Sequence, residues 1–283
     1  MPTPPIVITG ASTGMGKAAA LQLANSGHPL ILLLRDGPKG RDAHAEIVQR
    51  SGNRAIEIEH ADLASQAEIR AAAHRITERH PAIAGFISNA GAQFYDRELS
   101  PEGIELTFAI NHLAPFLLTH LFYDALKAYG ASASAPARIV VTASSLQVPF
   151  DLTDYNRDAA FDAFGVYGQT KFANVQFTMA LGRRLEGTGM TVNCLAPGIV
   201  RTELFRRAKS RLKLLVQLLR PFMVSPEKAA RKIVRLATAP ELAQSNGLYF
   251  VGKRSKQANA AVYDETAQEQ LWALSERLTN VLE

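Results

Sequence analysis

Near its start the chain runs from four β-forming residues, Ile6 to Thr9, through Gly10-Ala11-Ser12-Thr13-Gly14-Met15-Gly16-Lys17 and straight into the helix-forming stretch AAALQLA. Few folds accommodate a strand that turns at once into a helix through three glycines. Glycine permits the tight turn and lets another backbone or a ligand come close. The first turn of the helix then presents unpaired amides, a natural seat for an anion such as a pyrophosphate. The spacing is G-x-x-x-G-x-G, different from the more familiar G-x-G-x-x-G, and it lacks the G-K-[ST] ending of a nucleoside-triphosphate loop. Three glycines alone also suit an ordinary strand-to-helix turn; their place directly after the first strand favours a dinucleotide loop.

The remainder of the chain alternates short apolar runs with longer stretches of helical period. The runs Ile6 to Thr9, Leu30 to Arg35, Arg54 to His60, Gly85 to Ser88, Arg138 to Thr142, Thr191 to Leu195 and Leu248 to Val251 read as strands. Most are apolar on both faces, as parallel strands covered on both sides must be. Helices are predicted over Met15 to Ser26, Gln66 to Arg79, Ile104 to Tyr129 and Val166 to Glu186, each long enough for a crossover. Residues 130–137, GASASAPA, read as a loop. The pattern predicts an α/β fold, a doubly wound and mostly parallel sheet of about seven strands with helices on both faces.

At 47% hydrophobic and 20% charged residues, the chain can bury a sizeable core. Its single cysteine, Cys194, excludes an internal disulfide framework and any multi-thiolate metal site. The seven histidines show no metal-ligand spacing, so no metal is expected. No apolar run approaches the length of a membrane span and no export signal is visible, so a reducing, cytoplasmic setting is expected. The net charge of +5 is concentrated, with eleven Lys or Arg between Arg201 and Arg235 against Glu203 and Glu227.

The end of the second strand carries Arg35, followed by Asp36 and then Lys39. An acid at this strand end would grip the ribose 2′-hydroxyl of NAD, whereas an arginine accommodates the 2′-phosphate of NADP. NADP(H) is therefore expected over NAD(H), although a solvated strand end would also account for Arg35.

A tyrosine four residues before a lysine places both on one helix face, where the ammonium stabilises phenolate. Such a pair can protonate a carbonyl oxygen. The pattern occurs three times, as Tyr123 with Lys127, Tyr167 with Lys171 and Tyr249 with Lys253. Only Tyr167 follows a buried-looking strand, RIVVT, that delivers Ser144 and Ser145 to its carboxyl end, where open α/β sheets bind ligands. Tyr249 sits in a strand, and Tyr123 lies mid-helix among apolar neighbours.

In order along the chain stand TGASTGMG, Asp62-Leu63, Ser88-Asn89-Ala90-Gly91, Asn111 in FAINHLAPFLLT, TASS, YGQTK and Pro197-Gly198-Ile199-Val200-Arg201-Thr202. With these seven motifs the chain resembles the short-chain dehydrogenase/reductase family, and in detail its retinol-dehydrogenase-like branch. The resemblance covers essentially the whole chain and implies one domain over 1–283. Within it, 1–200 would hold the dinucleotide-binding core and catalytic residues, 201–235 a helical substrate lid, and 236–283 a C-terminal strand and helix.

The resemblance also implies roles. Tyr167 would be the general acid for reduction, Lys171 would depress its pKa and hold the nicotinamide ribose, and Ser145, the second serine of the motif, would bond the reacting oxygen. Asn111 would belong to a water relay to the lysine. Cofactor contacts would come from Gly10, Ser12, Thr13, Gly14, Met15 and Gly16 in the loop, and from Arg35 and Lys39. Further contacts would come from Asp62 and Leu63, from Asn89, Ala90 and Gly91, from Tyr167 and Lys171, and from Pro197, Gly198, Val200 and Thr202. Asp62 suits the cap of a helix near Ser65 equally well. Twenty-two positions separate Ser145 from Tyr167, longer than the family's commoner spacing and comparable to an insertion in the retinol-dehydrogenase-like branch. The insertion is acidic and aromatic, and either flanks the substrate mouth or is a solvated turn.

The stretch Leu204 to Met223 sets apolar residues beside a cationic face. In the family it is a lid, which makes Leu215, Leu218 and Phe222 candidates for substrate contact; a core-packing helix and peripheral contact with a membrane are the alternatives. Nucleic-acid binding is not expected, since no aromatic platform accompanies the charge. The expected activity is NADP-dependent hydride transfer between cofactor and a lipophilic aldehyde or ketone, or the corresponding alcohol. A non-catalytic NADP-binding sensor and a carbon–carbon double-bond reductase are the rival readings. The family's usual homodimers and homotetramers, paired through its long helices, are possible assemblies.

Overall fold

Strands that are apolar on both sides require cover on both sides, and the topology supplies it. The protein is described here from a computed structural model that covers residues 3–133, 135–200 and 223–281. Strands β1 (Ile6–Thr9), β2 (Leu30–Leu34), β3 (Ile56–His60), β4 (Gly85–Ser88), β5 (Ala137–Thr142), β6 (Met190–Ala196) and β7 (Leu248–Val251) form a parallel sheet, to which β8 (Arg254–Ser255) adds an antiparallel edge. The order is β3-β2-β1-β4-β5-β6-β7-β8. The two-residue β8 is the eighth strand, too short to register as a hydrophobic run. Strand order reverses between β1 and β4, with Ile6 paired to Leu30 on one side and Gly85 on the other. Such a switch point opens a crevice outside the carboxyl ends of the strands.

Alternate residues of each strand feed two cores, as a period of two demands. Ile6, Ile8, Leu30, Leu32 and Leu34 enter the core shared with α1 (Gly14–Asn25) and α2 (Pro38–Ser51), and with a helix near the C-terminus, α8 (Pro226–Thr238). Val7, Ile31 and Leu33 enter the opposite core, built with α3 (Gln66–Arg79), α5 (Ala114–Leu121), α6 (Tyr123–Ser132), α7 (Ala163–Arg184) and α9 (Glu265–Thr279). Charged side chains break the apolar rule at Glu59 in β3, buried and paired with Arg75 and Arg79 of α3 at 2.8 Å each, and at Arg138. Arg138 in β5 is buried and donates to the carbonyls of Leu236 (3.4 Å) and Ala239 (2.7 Å), closing the C-terminus of α8.

The sequence predicts one helix over 104–129, but the chain makes four pieces. A single turn, α4 (Leu106–Phe108), leads into a π-helical segment, Ala109–Leu113, before α5 and α6. The Ala114 amide donates to the Ala109 carbonyl, the five-residue reach of a π-turn. Pro115 explains the irregularity, because it has no N–H to offer the carbonyl of Asn111 four residues earlier. Tyr123 accordingly opens α6 and is not a mid-helix residue, and α6 runs on to Ser132, so the predicted loop over 130–137 is shorter than expected. Gly130 is what permits this, since a Cβ there would stand 2.1 Å from the Gly189 carbonyl oxygen.

Helix α9 is fastened across α5 and α7. Trp272, 7% exposed, meets the ring of Phe116 edge-on at 5.0 Å and stacks near Phe177 at 5.9 Å, with the Arg184 guanidinium 3.8 Å from its ring centroid. Arg184 also pairs with Glu269 at 2.5 Å. Removing an aromatic ring from such a site typically costs about 3–5 kcal/mol. Trp272→Ala is therefore expected to lower the urea midpoint of unfolding by a corresponding amount, whereas a midpoint within error of wild type would show that α9 adds little to the fold.

Candidate active site

The glycine loop is shaped by contact with the strand across the switch point. Gly10 and Gly14 have φ of +70° and +55°, in the left-handed region that favours glycine. A Cβ on Gly10 would lie 2.7 Å from the Ala90 Cα, and one on Gly16 would lie 2.2 Å from the Gly10 carbonyl oxygen. Thr9, which opens the TGASTGMG motif, ties the two loops together. Its hydroxyl accepts from the amides of Asn89 and Ala90, both at 3.1 Å, while the Asn89 amide group donates to the carbonyls of Thr9 (3.2 Å) and Gly10 (3.3 Å). Thr13 precedes α1 without a side-chain cap, and no acid occupies the first turn. The amides at this helix end are thus left for an anion, and the residues present suit a dinucleotide's pyrophosphate. Ser12, Thr13 and Gly14 are half-buried, and Met15 packs into the core beneath them with Ala11.

Arg35 and Lys39 stand exposed at the end of β2 and the start of α2. Between them Asp36 pairs with Arg41 at 2.6 Å and lies 3.9 Å from His60 Nε2, so this acid is matched by a cation. Lys17 of α1 is held by Glu46 of α2 at 2.8 Å. After β3, Ser65 caps α3, and Asp62 instead accepts from the Ala64 amide at 3.0 Å in a local turn beside Leu63. After β6, the Pro197 carbonyl accepts from Lys232 of α8 at 2.6 Å, and Gly198 takes φ +91°. Val200 pairs with Val224 and shares its core with Ala11 and Met15, which brings this loop to the glycine loop's side of the sheet. Thr202, Leu215, Leu218 and Phe222 lie outside the described residues.

Tyr167 and Lys171 fall on one face of α7, with the lysine Nζ 5.5 Å from the tyrosine ring centroid. Lys171 is 3% exposed and donates to the Thr142 carbonyl at the end of β5 (3.0 Å); burial brings its pKa down to about 8. Burial pushes the Tyr167 phenol up to about 12, opposed by a hydrogen bond with the Ser144 hydroxyl. Ser144 also accepts from the Leu146 amide, and Ser145 beside it is exposed. A Cβ on Gly91 would stand 3.4 Å from Lys171 Nζ and 3.5 Å from Asn111 Oδ1, so the loop after β4 reaches the same place.

Asn111 is buried in the π-turn. Its side chain accepts from the Ala92 amide (2.7 Å) and donates to the Ala92 carbonyl (2.9 Å) and the Thr170 hydroxyl (3.1 Å). Its own carbonyl, which Pro115 leaves without a helical donor, accepts from Asn174 Nδ2 at 2.9 Å. Asn174 was not singled out by its sequence; its signal is an amide in a buried run seven residues after Tyr167, two helical turns on. The other tyrosine–lysine pairs are elsewhere. Tyr123 packs on the core with Lys127 over its ring, and Tyr249 lies in β7, its hydroxyl donating to the Ser144 carbonyl at 3.1 Å.

The family model for short chain dehydrogenase matches residues 5–213. Human (Homo sapiens) retinol dehydrogenase 13 is 38% identical over 99% of this chain and 86% of its own length, and mouse (Mus musculus) retinol dehydrogenase 14 is 33% identical over 98% and 86%. The chain belongs to the short-chain dehydrogenase family. A Brucella melitensis 3-ketoacyl-(acyl-carrier-protein) reductase solved with NADH superposes with a TM-score of 0.68 at 21% identity, over 87% of this chain and 95% of that one, a likeness of fold alone. As a short-chain dehydrogenase of the retinol-dehydrogenase-like branch, the protein is an oxidoreductase that works with a nicotinamide cofactor on an alcohol–carbonyl pair.

The insertion of this short-chain dehydrogenase is anchored and is not a solvated turn. The Asn156 side chain accepts from the Glu105 amide (2.7 Å) and donates to the Gly103 carbonyl (3.2 Å), Arg97 donates to the Asn156 carbonyl (3.0 Å) and pairs with Asp158, and Phe150 packs 4.9 Å from Phe108. Asp162 ends the insertion by capping α7, accepting from the amides of Phe164 (3.2 Å) and Gly165 (2.8 Å). Leu146 (42%), Phe164 (40%) and Ile199 (58%) are exposed apolar residues on segments adjoining the tyrosine, serine and Pro197 positions. Among the described residues no group of His, Cys, Asp or Glu is placed to hold a metal, and no helix is long and apolar enough to cross a membrane. Since a Cβ at position 16 would overlap the Gly10 carbonyl, Gly16→Ala is expected to weaken nicotinamide-cofactor binding at least tenfold. Fluorescence titration checks this, and affinity like wild type's would show that the loop can shift without consequence.

Proposed function

We propose that the protein is an NADP-dependent reductase of lipophilic aldehydes or ketones, working also in the reverse direction on the alcohols. The observation that carries this reading is the convergence of Tyr167, the buried Lys171 and Asn111 at the carboxyl ends of β4 and β5, beside a loop shaped for pyrophosphate. A cofactor-binding protein without catalysis has no need of a buried ammonium against a phenol. When bound, the reduced nicotinamide supplies hydride, two electrons with one proton, to the carbonyl carbon.

The residues of the chain supply the rest. Tyr167 gives its hydroxyl proton to the carbonyl oxygen as negative charge gathers there, completing the alcohol. Ser145 donates to the same oxygen, and Ser144 holds the tyrosine. Lys171 offsets the charge left on Tyr167, which water then reprotonates, so that one solvent proton is consumed per turnover. Asn111 fixes Ala92 and with it the loop that passes Lys171. Exposed Leu146, Phe164 and Ile199 favour an apolar substrate body. Arg35, with Lys39 and the matched Asp36, favours a 2′-phosphate over a bare ribose.

Turnover of medium-chain and aromatic aldehydes, ketones and retinal with NADPH and with NADH tests the proposal, and a lower KM for NADH would refute the cofactor preference. Arg35→Ser is expected to raise the KM for NADPH at least tenfold while changing that for NADH little. The pH dependence follows from Lys171. The amine is charged below about pH 8 and neutral above it, while Tyr167 stays protonated through this range. kcat/KM for reduction is therefore expected to be level near neutrality and to fall as the pH rises through about 8, a fall that Lys171→Arg moves upward. A profile unmoved by that substitution would assign the limb to another group.

A further inference from the structure

The loop after β4 holds a group that the reaction described above does not use. From Gly91 to Arg97 it lies against the first turns of α7. Gly91 approaches Lys171 Nζ, buried Gln93 donates to the Ala163 carbonyl at 3.2 Å, and the Tyr95 ring meets Phe164 edge-on with centroids 6.3 Å apart. Tyr167 lies between these contacts, one turn or about 5 Å along the helix from Phe164. The loop is fixed at both ends, by Asn111 on Ala92 and by Arg97 on the Asn156 carbonyl and Asp158. Gln93 and Arg97 are thus committed, while the Tyr95 hydroxyl between them is buried and has no hydrogen-bond partner among the described residues. Burial also pushes its ionisation upward, so it is a neutral phenol and a donor at any working pH. A buried hydroxyl without a partner is costly and calls for an explanation.

We propose that Tyr95 is a specificity-determining residue whose hydroxyl donates to an oxygen on the substrate chain beyond the reacting carbonyl. The preferred substrate is then an oxygenated lipophilic carbonyl compound, with its apolar body against Phe164 and Leu146 and its second oxygen at Tyr95. The proposal rests on the carbonyl-reductase reading above and adds to it the polar feature by which that site selects among apolar carbonyl compounds. Because the loop is held at both ends before substrate arrives, little ordering cost offsets the added hydrogen bond.

The test uses the full chain with nonanal and its oxa-analogues, in which an ether oxygen replaces one methylene at successive positions. Wild type is expected to prefer one analogue over nonanal by about tenfold in kcat/KM, the worth of one hydrogen bond, and Tyr95→Phe to bring that ratio to about one. Ligand-free Tyr95→Phe is expected to melt at or above the wild-type temperature, since it removes an unpartnered hydroxyl. No preference at any position, a preference that survives Tyr95→Phe, or a lowered melting temperature overturns the proposal. Calorimetry of the matching alcohols with the NADP-bound protein separates the two readings. A binding preference lost in Tyr95→Phe without turnover of any carbonyl sinks the reductase reading alone, and turnover with an unchanged ratio sinks this one alone.

Discussion

The lysine ammonium held inside the protein at the carboxyl end of β5 is the constraint around which the site is arranged. Burying a cation is expensive unless it is met by fixed dipoles. Lys171 finds the Thr142 carbonyl at 3.0 Å and the Tyr167 ring face at 5.5 Å, and no carboxylate is among the groups that shift its pKa. Its pKa near 8 says that the charge is only partly compensated in the ligand-free chain. The charged form therefore burdens the folded state below that pH, and the burden is relieved as the pH climbs toward the unfolded value of about 10.4. A group kept under such strain has its use in what comes to it.

The surroundings of that ammonium reach far into the fold. Asn174, one turn along α7, donates to the Asn111 carbonyl that Pro115 has left open, and its oxygen meets buried His112 at 3.2 Å. The other nitrogen of His112 meets the Ser275 hydroxyl of α9 at 3.0 Å. Burial brings this histidine down to about 4, so it remains neutral and serves as a fixed link. The C-terminal helix, clamped by Trp272 and Arg184, thus borders the π-turn that presents Asn111. It also covers part of α5 and α7.

Much of this was legible in the sequence because strands and glycine turns carry local signals. Residues 66–79 form a helix as predicted, β1, β4 and β7 begin and end as read, and the glycine loop sits at the switch point. The segment 104–129 misled, because its apolar period is helical throughout and one proline decides that it breaks into a π-turn. Asn174 and Lys232 carried no such signal for another reason. Each is a single polar residue whose partner is a backbone group far away in sequence, and no spacing rule encodes a long-range contact of that kind. The insertion's acids proved to be structural, with Asp162 serving as the cap that starts the tyrosine helix in register.

The central claim is that Tyr167 moves the proton while its neighbours tune and hold it. Replacing Tyr167 by Phe removes one oxygen and leaves the ring over Lys171, so steady-state carbonyl reduction by this variant is the most direct measurement. The account predicts a fall in kcat of about 10²–10⁴, the usual contribution of a positioned acid, in a protein that still binds NADPH. Undiminished turnover by that variant would contradict it.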